Sequence, residues 1–410
     1  MRINVIFFLL FLGVSSAWAQ ERKPIEIGFT ETIHSEILDE DREYYVHLPD
    51  EVLNNSTSNQ NYPVAYVLDG ESFFIPFVGH VKSLSSPAHM LIPKMIVIGI
   101  PNTNRWIDLS PTKTQPDLPY LTEAMANVGG GGDKFLDFIQ KELIPQIEKE
   151  YPVLSHRLLV GHSLGGLLAL HTFINRTNLF DDYLVLDPSV WWNDQYLIKQ
   201  FEETAMDSRF NNKSLYVANA NYITGYERKK GGEAEDYPEG SMEAKEKLTG
   251  ILRNRFANRV ALKIKDYPDE NHITVVHIGQ YDGMRFLYDY FNLPTFSPSS
   301  LQDFRNGFLK DYTEQFDNLS LHMASEIKPY EDQIMGMGSF LMSMNLYKDA
   351  KALFEMNTRN FPNSYQAWEA LGDCYASQGK IEKARETYRH ALTLNGNSRA
   401  AEKLRALDGK

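Results

Sequence analysis

What most constrains this chain is a series of short strand-forming runs: Val64-Ala65-Tyr66-Val67-Leu68, Met95 to Ile100, Arg157 to Val160, Tyr183 to Leu186, Ser214 to Ala218 and Val260 to Ile264. Runs that are apolar at successive rather than alternate positions suit strands covered on both faces. Between them lie stretches with helical periodicity. In Asp133 to Tyr151, for example, Phe135, Phe138, Ile139, Leu143, Ile144 and Ile147 share one face. Alternating strands and helices predict an α/β fold, a mainly parallel sheet with helices on both faces. Glu43 to Leu48 alternates and is followed by Pro49, so an edge or antiparallel strand is expected there. Asn54 to Asn61, Pro101 to Gly132 and Gly225 to Gly240 read as long loops, which in compact domains tend to carry function.

At 410 residues the chain is long enough for two domains. A Pro/Ser-rich stretch, Pro294 to Ser300, marks the change of rhythm, and a period of 34 begins beyond Glu331. Gly338 pairs with Gly372, Met337 with Leu371, Ala350 with Ala384 and Phe354 with Tyr388, while Pro362 closes the first unit. The second unit, with Trp368, Leu371, Gly372, Tyr375, Ala384, Tyr388 and Ala391, resembles the tetratricopeptide repeat. Two repeats do not stand alone, so support from the first domain or from residues 301–330 is expected. The expected division is residues 1–19 as a signal peptide, 20–293 as the α/β domain, 294–330 as linker and connecting helices, and 331–410 as repeats.

The signal peptide is read from Arg2, the apolar run Val5 to Val14 and the small residues up to Ala17-Trp18-Ala19. The run is short of the roughly 20 residues that cross a bilayer, and no later segment reaches 18, so no membrane span is expected. The net charge of −13 offers no basic field for nucleic acid. Cys374 is the single cysteine and has no partner within the chain. An exported chain without disulfides suggests a bacterial periplasm, or secretion.

The chemistry centres on Val160-Gly161-His162-Ser163-Leu164-Gly165-Gly166, where a buried strand runs into G-x-S-x-G and then into the helix-forming Leu167-Leu168-Ala169-Leu170. Such a turn exposes a serine nucleophile, and side chains in place of its glycines are expected to collide with neighbouring backbone. The helix beginning at Leu164 supplies a backbone N–H and a positive dipole end for an oxyanion. Around such a turn the triad order is serine, acid, histidine. Of the downstream histidines, His171 lies on the nucleophile's own helix, pointing away, and His277 follows Val275-Val276, which should pack on the sheet. His272, in the polar loop Tyr267-Pro268-Asp269-Glu270-Asn271-His272, is the candidate base.

For the acid, Asp187 ends a predicted strand in Leu186-Asp187-Pro188-Ser189 and would open onto the crevice at the strand ends. Glu227 and a dyad without an acid remain open beside it. Asp187 also has a purely structural reading, in which it holds the Trp191-Trp192 turn through backbone N–H groups. A second oxyanion donor is expected from Gly70 or Glu71, in the loop after Val64 to Leu68.

Several segments together resemble the esterase D-type esterases, the group that includes ferric-enterobactin and salmochelin esterases. They are Tyr66 to Gly70, Gly99 to Arg105, Asp133 to Phe138, the serine turn, Asp187-Pro188-Ser189 with Trp191-Trp192, and His272 followed by Tyr281 to Phe286. The resemblance covers about Ile25 to Phe291 and implies the α/β-hydrolase fold and ester hydrolysis. One arginine suited to an anionic substrate is missing from Asn104-Arg105-Trp106-Ile107-Asp108, and the repeats are not part of the basic family.

The resulting reading is an exported serine esterase acting on a small-molecule ester, a siderophore or another, through Ser163, His272 and Asp187, with Leu164 and Gly70 or Glu71 holding the oxyanion. Trp106, Trp191 and Trp192 are candidate pocket walls. No metal or cofactor is implied, because the histidines and the cysteine show no ligand spacing. The repeats imply a protein partner, and the rival reading makes the chain a binding scaffold with a vestigial hydrolase domain.

Overall fold

The computed structural model describes residues 24–53, 60–86, 89–113, 129–221, 241–291, 307 and 309–408. The signal peptide, Glu227 and the Pro/Ser-rich linker lie outside these residues. Among the described residues, eight strands form one sheet: β1 Phe29–Ser35, β2 Glu40–His47, β3 Tyr62–Leu68, β4 Ile96–Ile100, β5 Val153–His162, β6 Asp182–Leu186, β7 Ser214–Ala220 and β8 Ala261–Tyr267. Their spatial order is β1-β2-β4-β3-β5-β6-β7-β8. β1 pairs antiparallel with β2, and β2 with β4. The remaining pairings are parallel.

All six apolar runs are strands, and β2 is the antiparallel strand read from alternation. β1 went unread because an exposed edge strand, Phe-Thr-Glu-Thr-Ile-His-Ser, carries almost no apolar signal. β5 begins four residues ahead of the run, since Leu154 and His156 are buried beside neighbouring strands.

The principal helices of this region are α1 Gly70–Leu84, α2 Gly132–Phe138, α3 Leu164–Asn175, α4 Trp192–Glu203, α5 Ser241–Ile251 and α6 Val275–Leu287. α2 runs on through a wider π turn, Ile139–Leu143, into Ile144–Glu150. Pro145 lacks the N–H that would bond one turn back, a physical reason for the ladder to widen there. The six apolar residues predicted for this helix are all buried. α3 is buried from Leu164 to Ile174, as befits a helix that is apolar all round.

The C-terminal part is all helical: α7 Leu309–His322, α8 Glu331–Ser343, α9 Tyr347–Asn360, α10 Tyr365–Ser377, α11 Ile381–Leu394 and α12 Ala400–Asp408. The period of 34 has a direct physical basis, because a Cβ on Gly338 would overlap the Phe354 ring and one on Gly372 the Tyr388 ring. Gly372→Val is therefore expected to lower stability by about 1–3 kcal/mol through overpacking, read from the denaturant midpoint.

The two repeats lean on both supports expected for them. Tyr312 and Phe316 of α7 are buried, and Phe316 meets Phe291 and Tyr330 edge-on. The Tyr330 hydroxyl accepts from the Lys94 N–H at 3.1 Å, and the Lys94 ammonium bridges Glu51 and Asp332. Among the described residues, no helix is long and apolar enough to cross a membrane.

Candidate active site

The carboxyl ends of the parallel strands bring the chemically active residues to one edge of the sheet. Ser163 follows β5 with φ 58° and ψ −115°, a conformation that costs a residue with a Cβ energy and marks a strained turn. Its N–H donates to the Leu186 carbonyl at 3.0 Å, and its carbonyl accepts from Ser189 N–H at 3.0 Å. Its hydroxyl lies 3.1 Å from that of Ser189. A Cβ on Gly161 would overlap the Gly165 carbonyl, as expected, and one on Gly166 would lie 3.1 Å from Pro188. Gly165 departs from expectation, since a Cβ there would meet only the Asp69 carboxylate, at 3.3 Å, and the Leu68 side chain.

His272 sits in the loop between β8 and α6, and its Nδ1 donates to Asp187 Oδ2 at 2.6 Å. Asp187 is buried at φ 44° just after β6. Its Oδ1 accepts from the Ala220 N–H at 2.8 Å and from the Lys245 ammonium. These contacts reach β7 and α5, not the Trp191-Trp192 turn that the structural reading required. Burial alone would raise the Asp187 carboxyl, but the His272 hydrogen bond and the Lys245 charge hold it below the usual carboxylate range. Burial pushes the Lys245 ammonium down from its ordinary value against the pull of Asp187.

His162, inside the serine turn, holds His272 from the other side. Its Nε2 donates to the His272 carbonyl at 2.7 Å, and the two rings lie 4.4 Å apart. Burial and the neighbouring His272 push His162 down to about 3, so it stays neutral. His171 is buried and bonds Asp133 at 3.2 Å, while His277 is exposed on α6 although Val275 and Val276 pack inward.

Gly70 and Glu71 open α1, and Leu164 opens α3, so each N–H lies in a first turn with no carbonyl one turn back. A Cβ on Gly70 would come within 2.6 Å of the Ile100 nitrogen, which explains the glycine. The preceding Asp69 is buried and held by Arg105 through Nε at 2.7 Å and a terminal nitrogen at 3.1 Å. Asn102 bonds both Asp69 and Glu71. Arg105 is therefore committed to a protein carboxylate.

Of the predicted pocket walls, Trp192 is corrected. It is fully buried and donates to the Thr112 carbonyl at 3.0 Å, so it is core. Trp106 stacks on it at 5.8 Å and Trp191 packs beside it, both partly buried. Sequence reasoning missed Ser189, Lys245 and the Asp69–Arg105 pair. Among the described residues, no group of three or more His, Cys, Asp or Glu could hold a metal ion.

Residues 35–229 match the family model described as "Putative esterase", and residues 365–398 match a tetratricopeptide repeat. The siderophore triacetylfusarinine C esterase of Aspergillus fumigatus is 36% identical over 163 residues, 38% of this chain and 55% of that one. The ferri-bacillibactin esterase BesA of Bacillus subtilis is 25% identical over 236 residues, 55% of this chain and 78% of its own. Among solved structures, an IroE-like serine hydrolase from Shewanella oneidensis superposes with a TM-score of 0.65 at 28% identity, over 81% of this chain and 99% of its own. The matched part of the first of these relatives is little more than half its length, and the comparisons give the α/β-hydrolase fold followed by a small tetratricopeptide-like domain.

Proposed function

We propose that the chain hydrolyses a small-molecule carboxylic ester through an acyl-enzyme on Ser163. The observation that carries this reading is the hydrogen bond from His272 Nδ1 to Asp187, with Ser163 on its strained turn at the same end of the parallel strands. With Nδ1 donating to Asp187, Nε2 is the nitrogen that serves as base. Ser163 Oγ attacks the ester carbonyl while Nε2 takes its proton. The N–H of Leu164 and that of Gly70 or Glu71 hold the oxyanion. Collapse expels the alcohol, which receives the proton from Nε2. Water, deprotonated by the same nitrogen, then cleaves the acyl-enzyme and releases the acid.

Siderophore esters are the first substrates to test, because the Aspergillus fumigatus relative is named for one. We place the hydrolase domain at residues 20–293, the connection at 294–330 and the repeats at 331–410, the last serving a protein partner. Export to a bacterial periplasm or beyond is proposed from the composition of residues 1–19, and a mature chain starting at Gln20 would support it. Labelling by a fluorophosphonate probe, lost in Ser163→Ala, together with a panel of siderophore and nitrophenyl esters, tests the enzymatic reading. An unlabelled, folded protein that cleaves no ester would overturn it.

A further inference from the structure

Lys245 projects from α5 into the interior, and only 4% of it is exposed. Lysine is almost never buried unless paired, because an unpaired ammonium away from water is costly. Its partner here is Asp187 Oδ1, on the carboxylate whose other oxygen accepts from His272. With the Ala220 N–H also on Oδ1, both oxygens are committed and the carboxylate cannot turn. Nothing in the proposed reaction requires a second cation beside the acid.

We infer that Lys245 is a positioning residue: it fixes the orientation of Asp187 and sets the pH down to which His272 works as a base. The inference rests on the triad reading above. An orienting carboxylate that faces the imidazole alone lends its whole charge to the imidazolium. Here that charge is shared with an ammonium on the opposite oxygen. Removing the ammonium would return the whole charge of the carboxylate to the imidazolium, and the acid limb of the variant is where that would be read.

Among the described residues, several other charged groups face the pair. His162, from β5, is neutral. Asp266, from β8, accepts from Asn219 at 2.9 Å and lies within the field of Lys245. Arg105 is paired with Asp69, and Asp269 and Glu270 share the His272 loop.

The test is the pH dependence of fluorophosphonate labelling of the full chain, which needs no knowledge of the natural ester. In Lys245→Met the acid limb should move to higher pH by about one unit, making labelling about ten-fold slower on the limb. That size is on the order expected for a unit charge lying across one carboxylate at an effective permittivity of about 20, discounted for relaxation. Lys245→Arg, which keeps the charge, should keep the wild-type limb while its plateau rate falls, because a guanidinium fits the site less well. A folded Lys245→Met whose limb coincides with wild type would overturn the inference and leave the triad standing.

Should Lys245→Met fail to fold, Lys245→Gln keeps a neutral donor for Asp187 Oδ1 without the charge. A limb at higher pH than wild type in that variant supports the inference, and a coincident limb overturns it. Labelling that persists in Ser163→Ala would instead strike the serine mechanism, and with it the role of Lys245.

Discussion

Ser163→Ala is expected to abolish ester hydrolysis while leaving the thermal midpoint nearly unchanged. Alanine keeps the Cβ, so the turn at φ 58° is no more strained than before, and the backbone bonds to Leu186 and Ser189 persist. What is lost from the fold is one hydroxyl contact with Ser189, at 3.1 Å, on a part-buried site. What is lost from the chemistry is the attacking atom, and nucleophile removal in serine hydrolases costs roughly 10⁶ in kcat. Ser189, the nearest hydroxyl, sits outside the strained turn and is not expected to substitute. Steady-state assay of the purified variant against wild type decides the matter, and retention of more than about 1% of turnover would sink the assignment.

The reach of the sequence varied with how local each cause was. Buried strands such as β3 and β6 were legible because burial on both faces demands unbroken apolar residues, and the serine turn because strand, glycines and helix lie within a dozen positions. β1 is the opposite case, an exposed edge held by backbone bonds to β2, with side chains that any loop could carry. Asp187 and His272 were found as strand-end and loop positions, yet the bond between them spans 85 residues, and only the fold could choose Asp187 over the dyad as the geometric partner. Lys245 was invisible for a stronger reason. On an isolated helix, Met-Glu-Ala-Lys-Glu-Lys reads as a solvated face, and its burial is imposed by the carboxylate across the site. Trp192 erred in the other direction, since a tryptophan beside the serine turn looks like a wall until its indole N–H is seen bonded to Thr112.

Asp187→Asn should lower kcat by as much as about 10⁴ in the folded protein, with some loss of stability because the buried Lys245 ammonium is left without its carboxylate. The amide retains the volume of the carboxylate and one acceptor oxygen, so it satisfies either Lys245 and Ala220 or the His272 Nδ1–H, but not both sets. If its NH₂ faces His272, the imidazole must present Nδ1 as acceptor, and the proton moves to Nε2, where the base is needed. The wild-type carboxyl, held below its usual range, is ionised throughout the neutral region, whereas the amide carries no charge at any pH. The same depression gives a stability signature. Its contribution is fully present above the ordinary carboxylate range and is lost as the pH falls through the folded value, so the variant should lack that part of the acid dependence. Glu227→Gln, assayed in parallel, should have little effect. A large loss in Glu227→Gln with none in Asp187→Asn would move the acid to Glu227, and full activity in both would make the enzyme a Ser163–His272 dyad in which the Asp187 bond serves the fold.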